Sequence, residues 1–139
     1  MSFVLDSSVA LAWMLPDESP AGIDALFDRL LAEGAIVPGH WPLEVANTLI
    51  MAERRGRIDA GFRQNAVRDL MDLPIDVQAE STDLVWGPVM DLAVRSRLTI
   101  YDAAYLELAR RAGAALATLD TALAAAAPAE GVVVLGVRP

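Results

Sequence analysis

Four carboxylates stand in separate, mostly apolar stretches of the chain. They are Asp6 after Phe3-Val4-Leu5, Glu44 after Pro42-Leu43, Asp102 after Ile100-Tyr101, and Asp120 after Ala117-Thr118-Leu119. Taken singly, each has an ordinary explanation. An aspartate between a strand and a helix commonly caps the helix, which covers Asp6, Asp102 and Asp120. An acid in a helix's first turn is favoured by the helix dipole, which covers Glu44. Four together, spread from residue 6 to residue 120, suggest instead that distant segments converge on one acidic pocket. Carboxylates so close would raise one another's pKa unless a cation neutralised them. Bound Mg²⁺ or Mn²⁺, which accept carboxylate and water oxygens, would relieve that repulsion. A metal held in this way activates water and offsets the charge that builds on a phosphate during in-line displacement.

Three polar neighbours are candidates to support such a pocket. Ser7 follows Asp6 directly, Asn47 lies one helical turn past Glu44, and Thr118 lies two residues before Asp120 on the same side of a strand. A cap or a structural hydrogen bond is the plainer role for each. The other acids have plainer settings. Asp59, Asp91 and Glu107 each have an arginine four residues on, at Arg63, Arg95 and Arg111, as on solvated helix faces. Asp17 and Glu18 follow Pro16 in a loop. His40 reads first as a loop residue, with a catalytic role as the alternative, and Trp13, Trp41 and Trp86 as core or interface residues.

Composition narrows the chemistry. With 139 residues the chain is read as a single domain, residues 1–139, long enough for a proper core. There is no cysteine, hence no disulfide and no thiolate metal site. All 11 basic residues are arginine, so P-loop nucleotide binding and Schiff-base catalysis, which need a lysine, are excluded. A lone histidine cannot build a zinc cluster, so any metal ligands are oxygens. The net charge of −8 argues against gripping nucleic acid through the overall field. Arg54, Arg55 and Arg57, the densest basic cluster, fit a helix C-terminus. No apolar run reaches the roughly 18 residues of a membrane span. The apolar start carries Asp6 and has no basic segment before it, unlike a signal peptide, so a cytoplasmic location is expected.

The elements that would position the acids alternate. Strands are expected at Phe3–Asp6, Ala35–Val37, Ile75–Val77, Ala115–Thr118 and Val132–Val134. Helices are expected at Ser8–Leu15, Ala21–Glu33, Pro42–Arg55, from an Asp59 cap to about Leu73, at Ser81–Arg97, Asp102–Ala112, and briefly after Asp120. Such alternation implies an α/β fold with a mostly parallel sheet covered by helices. In such sheets the strand C-ends and the following helix N-termini share one edge, where ligands bind. Asp6 and Asp120 would reach that edge from strands, Glu44 and Asp102 from helix starts.

With those residues in place, the chain resembles PIN-domain ribonucleases, and among them the VapC-type toxins of bacterial toxin–antitoxin pairs. The resemblance is carried by Val4-Leu5-Asp6-Ser7-Ser8, Glu44-Val45-Ala46-Asn47-Thr48-Leu49, Tyr101-Asp102-Ala103-Ala104-Tyr105-Leu106 and Ala117-Thr118-Leu119-Asp120, in that order over nearly the whole chain. It implies a PIN-like three-layer fold with a five-stranded sheet of order 3-2-1-4-5. It also implies Mg²⁺- or Mn²⁺-dependent endonucleolytic cleavage of RNA, with Asp6, Glu44, Asp102 and Asp120 as metal-site residues. A homodimer is implied, as is a cognate antitoxin lying across the pocket, in a groove formed by the helices at Pro42–Arg55 and Asp59–Leu73. Many relatives carry a basic residue soon after the last aspartate, where this chain has Thr121-Ala122-Leu123. That departure removes a phosphate contact and leaves the acids untouched.

Two rival readings remain at this point. One is a catalytically silent PIN-fold interaction module, which would have no need of mutually repelling acids. The other is a receiver domain or aspartate-nucleophile phosphatase, which resembles this chain in placing an aspartate after a strand. Both of those families rely on a lysine that is missing here.

Overall fold

The computed structural model describes residues 2–16 and 20–135. The loop assignment of Asp17 and Glu18 lies outside the described residues. Strand β1 (Phe3–Leu5) leads into helix α1 (Ser7–Met14); α2 (Ile23–Glu33) precedes β2 (Ala35–Pro38). Helices α3 (Trp41–Arg54) and α4 (Ala60–Met71) then lead to β3 (Ile75–Gln78). A single turn α5 (Thr82–Leu84) passes through a π-helical stretch at Val85–Val89 into α6 (Met90–Ser96). Helix α7 (Ile100–Ala112), β4 (Leu116–Ala117), α8 (Thr121–Ala126) and a 3₁₀ turn at Pro128–Glu130 follow. Among the described residues, no helix is long and apolar enough to cross a membrane.

The strands form a parallel sheet of order β3-β2-β1-β4, with Phe3 opposite Ala35, Val4 opposite Leu116 and Ala35 opposite Ile75. Every residue of the central strand β1 is fully buried, as a parallel strand covered on both faces requires. Helix α7 packs against β1 and β2, and α1 against α2 and α3. The expected order 3-2-1-4-5 therefore holds for its first four members. The fifth strand, expected at Val132–Val134, is reduced to a single parallel bridge between Leu116 and Val134. Backbone bonds from Leu116 N–H to Val133 (2.9 Å) and from Leu135 N–H to Leu116 (2.8 Å) are what remains of it. β4 is only two residues long, so little of the last segment finds a pairing partner.

Two further expectations are corrected. The helix expected at Ser81–Arg97 is interrupted because Pro88 lies inside it; proline lacks the N–H of the regular ladder and crowds the carbonyl four residues back. Two of the three arginine pairs also differ. Asp59 uses its carboxylate to cap α4, accepting from Phe62 N–H at 2.7 Å, so Arg63 turns instead to Glu53 of α3. Arg95 pairs with Glu130 at 2.6 Å rather than with Asp91. The Glu107–Arg111 pair forms at 3.0 Å, although Glu107 is buried rather than solvated. Gly34 ends α2 with φ +76° beside the Pro74 carbonyl, a left-handed position that glycine takes without strain.

Candidate active site

Strands β1, β2 and β4 all run in one direction, so Asp6, His40 and Asp120 emerge at the same sheet edge. Asp6 occupies the cap position of α1 but its side chain caps nothing. It is buried, and three hydroxyls surround it instead. Thr118 donates at 2.5 Å, Ser8 at 2.8 Å and Ser7 at 3.4 Å. Burial pushes the Asp6 carboxyl up, and the Thr118 and Ser8 bonds oppose that rise. The same hydroxyl oxygens receive backbone donors, Ser8 from Leu119 N–H (3.0 Å) and Thr118 from Asp120 N–H (3.0 Å). This frame ties the end of β1 to the end of β4.

Asp120 does cap its helix, accepting from Leu123 N–H at 2.8 Å, so for this residue the ordinary role is also present. Asp102 is different. The cap of α7 is Thr99, whose hydroxyl accepts from Asp102 N–H at 3.2 Å. The Asp102 carboxylate is thereby left without a hydrogen-bond partner among the described residues. Its pKa is pushed up to about 6, first by burial and then by the charges of Asp120, Asp6 and Glu44. The four acids thus lie within electrostatic reach of one point.

Glu44 sits in the first turn of α3. The Tyr105 hydroxyl of α7 donates to its Oε1, and His40 Nε2 lies 3.2 Å away. Burial works against ionisation of Glu44, but the contacts from His40 and Tyr105 outweigh it and hold its carboxyl below the usual range. Tyr105 is itself buried, and burial together with Glu44 drives its phenol far above the ordinary value, so it stays a neutral donor. The His40 ring is flanked by Tyr101 (centroids 5.5 Å apart) and Tyr105 (5.1 Å, edge to face). Its Nε2 is shielded from water and, despite the short distance to Glu44, out of line for a hydrogen bond.

Of the three polar neighbours, Ser7 and Thr118 touch Asp6, whereas Asn47 is exposed and makes no hydrogen bond among the described residues. Ser8 and Tyr105 are not singled out for the site by sequence, and His40 only as the alternative to its loop role. Each has a local signal: Ser8 lies two residues after Asp6, Tyr105 three after Asp102 and His40 four before Glu44.

The donor chemistry suits a hard cation: four carboxylates and no thiol. Among the described residues, no group of three or more acidic or histidine side chains is disposed to cage an ion outright. Mg²⁺ keeps several waters and binds directly to one or two carboxylates, so it does not require such a cage. The unpartnered Asp102 and its repelling neighbours are the groups such an ion would satisfy.

Residues 3–128 match the PIN domain family. The chain is 30% identical over 129 residues to Ribonuclease VapC3 of Pyrobaculum aerophilum, covering 93% of this chain and 97% of that protein. Its fold is similar to the crystal structure of PAE2754 from Pyrobaculum aerophilum, with a TM-score of 0.73, 24% identity and coverage of 96% of this chain and 89% of the other. It is also similar to Mycobacterium tuberculosis VapC20, described as a sarcin-ricin loop cleaving toxin, with a TM-score of 0.59, 20% identity and coverage of 90% and 95%. A family match over most of the chain, on a parallel sheet whose edge gathers four acids, shows that this protein belongs to the PIN-domain family.

Proposed function

We propose that this protein is a Mg²⁺- or Mn²⁺-dependent endoribonuclease acting as the toxin of a toxin–antitoxin pair. The observation that carries the reading is Asp102, a carboxylate with no hydrogen-bond partner whose pKa is raised to about 6 by burial and by Asp120, Asp6 and Glu44. The relative named Ribonuclease VapC3 supports RNA as the substrate. Asp6, Glu44, Asp102 and Asp120 would hold the cation. When bound, it supplies an activated water and charge stabilisation at the scissile phosphate.

The chain's own residues have distinct parts. Ser8 and Thr118 fix the orientation of Asp6 through their hydroxyls. Tyr105 and His40 keep Glu44 ionised at the edge of the pocket. Asp102, whose carboxylate has no hydrogen-bond partner among the described residues and is crowded by Asp120, Asp6 and Glu44, is the acid that gains most from a bound cation. With a net charge of −8 and no basic residue just after Asp120, the protein binds RNA weakly without metal.

The antitoxin reading draws support from an apolar cleft of about 270 Å³ between α3, α4 and β3, lined in part by Trp41, Leu49, Val67 and Leu70. The homodimer reading draws support from Trp86, Met90 and Val94, exposed apolar residues spaced four apart on the α5–α6 stretch. The deciding experiment is cleavage of total cellular RNA by purified protein with Mg²⁺, Mn²⁺ or chelator, beside Asp6→Asn. Discrete cuts requiring both the metal and Asp6 are expected. Neither cutting nor Mn²⁺ binding would favour a silent PIN-fold interaction module.

A further inference from the structure

A second cleft, of about 340 Å³, adjoins the carboxylate site, within the range of about 300–1,000 Å³ that small-ligand sites occupy. Its lining includes Gly39, His40, Leu43, Glu80, Val85 and Tyr101. Two of these residues connect it to the acids. Tyr101 precedes Asp102 in α7, and His40 touches Glu44 on one side and the Tyr101 ring on the other. The walls are mostly apolar, yet one carboxylate faces the space. Glu80 Oε1 accepts from Gly39 N–H at 2.8 Å, which leaves Oε2 without a partner among the described residues. The approach depends on glycine, because a Cβ on Gly39 would meet Glu80 Oε1 and Ala79 Cα at 3.3 Å.

We infer that this cleft is a nucleobase subsite, stacking one base of the RNA on Tyr101 and reading an exocyclic amino group through Glu80. The inference rests on the nuclease reading and adds a specificity to it. Proteins recognise single-stranded RNA by stacking splayed bases on aromatic rings and bonding their edges. Tyr101 is 58% exposed, so its ring has a free surface beside the residues that would flank the scissile phosphate. A carboxylate oxygen only accepts, so at the exocyclic position it favours the amino groups of adenine, cytosine or guanine over uracil, which has carbonyls there and offers only its ring N3–H.

The reading is tested with short single-stranded RNAs that vary at each position flanking the cut, using wild type, Tyr101→Leu and Glu80→Gln with Mn²⁺. Wild type should disfavour uracil at one flanking position by about tenfold. In Glu80→Gln the amide oxygen can keep the Gly39 bond and turn an NH₂ into the cleft, so the preference should disappear or reverse toward uracil. Tyr101→Leu should raise KM with Mn²⁺ binding unchanged.

A second arm does not depend on cleavage. Adenosine or cytidine titrated into metal-free wild type should shift the His40 ring signals in NMR, uridine several-fold less, and neither should do so in Tyr101→Leu. Nucleoside shifts without RNA cleavage would keep the subsite and overturn the nuclease reading. Cleavage without base bias or nucleoside shifts would do the reverse, and an unchanged bias in Glu80→Gln would remove the role of Glu80.

Discussion

Thr118 donates its hydroxyl hydrogen to Asp6 at 2.5 Å while its oxygen accepts from the Asp120 N–H at 3.0 Å, so one side chain joins two acids 114 positions apart in sequence. Replacing Thr118 by Val keeps the shape and removes both bonds. Asp6 would remain buried without its shortest donor, and a loss of about 1–3 kcal/mol in folding stability is expected. Urea denaturation measures it, and a wild-type midpoint in the variant would show that Asp6 does not depend on the hydroxyl.

Tyr105→Phe deletes only the donor to Glu44. The ring still fills its place in the core, so the fold should persist. Glu44 loses a contact that favours its ionised form, and kcat for RNA cleavage should fall by about tenfold with a smaller change in KM. Steady-state kinetics on one defined RNA would separate the two constants. Equal kcat values in the two proteins would mean that Tyr105 serves packing alone.

The raised carboxyl of Asp102 gives a pH dependence of definite sign. In the unfolded chain an aspartate titrates near 3.8, and in the folded protein Asp102 titrates near 6. Between those values the folded state binds more protons, so the metal-free protein loses stability as pH rises across that window. Cation binding needs the ionised form and therefore strengthens over the same window. Calorimetric Mn²⁺ affinity should be about tenfold higher at pH 7 than at pH 5. A flat affinity over that range would contradict the assignment of Asp102 as a ligand.

Asp102→Asn separates stability from activity. The amide removes a charge that Asp120, Asp6 and Glu44 repel, so the metal-free variant should melt higher than wild type, by roughly 3 °C. Cleavage should be lost. A variant that melts lower would show that the Asp102 carboxylate is held by interactions other than the repulsion described.

What could be read from sequence divides along a physical line. Strand-end acids, an apolar alternation of strands and helices, and a threonine two residues before an aspartate are local signals, and they located β1 to β4, Asp6, Asp120 and Thr118. One partner of Glu44, His40, lies four residues before it, but the other is not local. Tyr105 lies 61 residues away on a buried helix, where an aromatic reads as core whether or not its hydroxyl has work to do. Competition also hid some pairings. Asp59 was a candidate both for capping and for Arg63, and only the folded geometry decides that the cap wins and Arg63 goes to Glu53. The fifth strand failed for a related reason. Its residues have strand character, but β4 is only two residues long and receives them at a single bridge.

That shortness bears on how the protein behaves in a crowded solution. Parallel sheets with long bare edges invite other chains to add strands. Among the described residues, one edge is β3, four residues long with exposed Asp76 in it. The other is β4, two residues long, its outer side already engaged by Val133 and Leu135. A chain that is 55% apolar therefore shows neighbouring molecules almost no template for fibrous self-assembly.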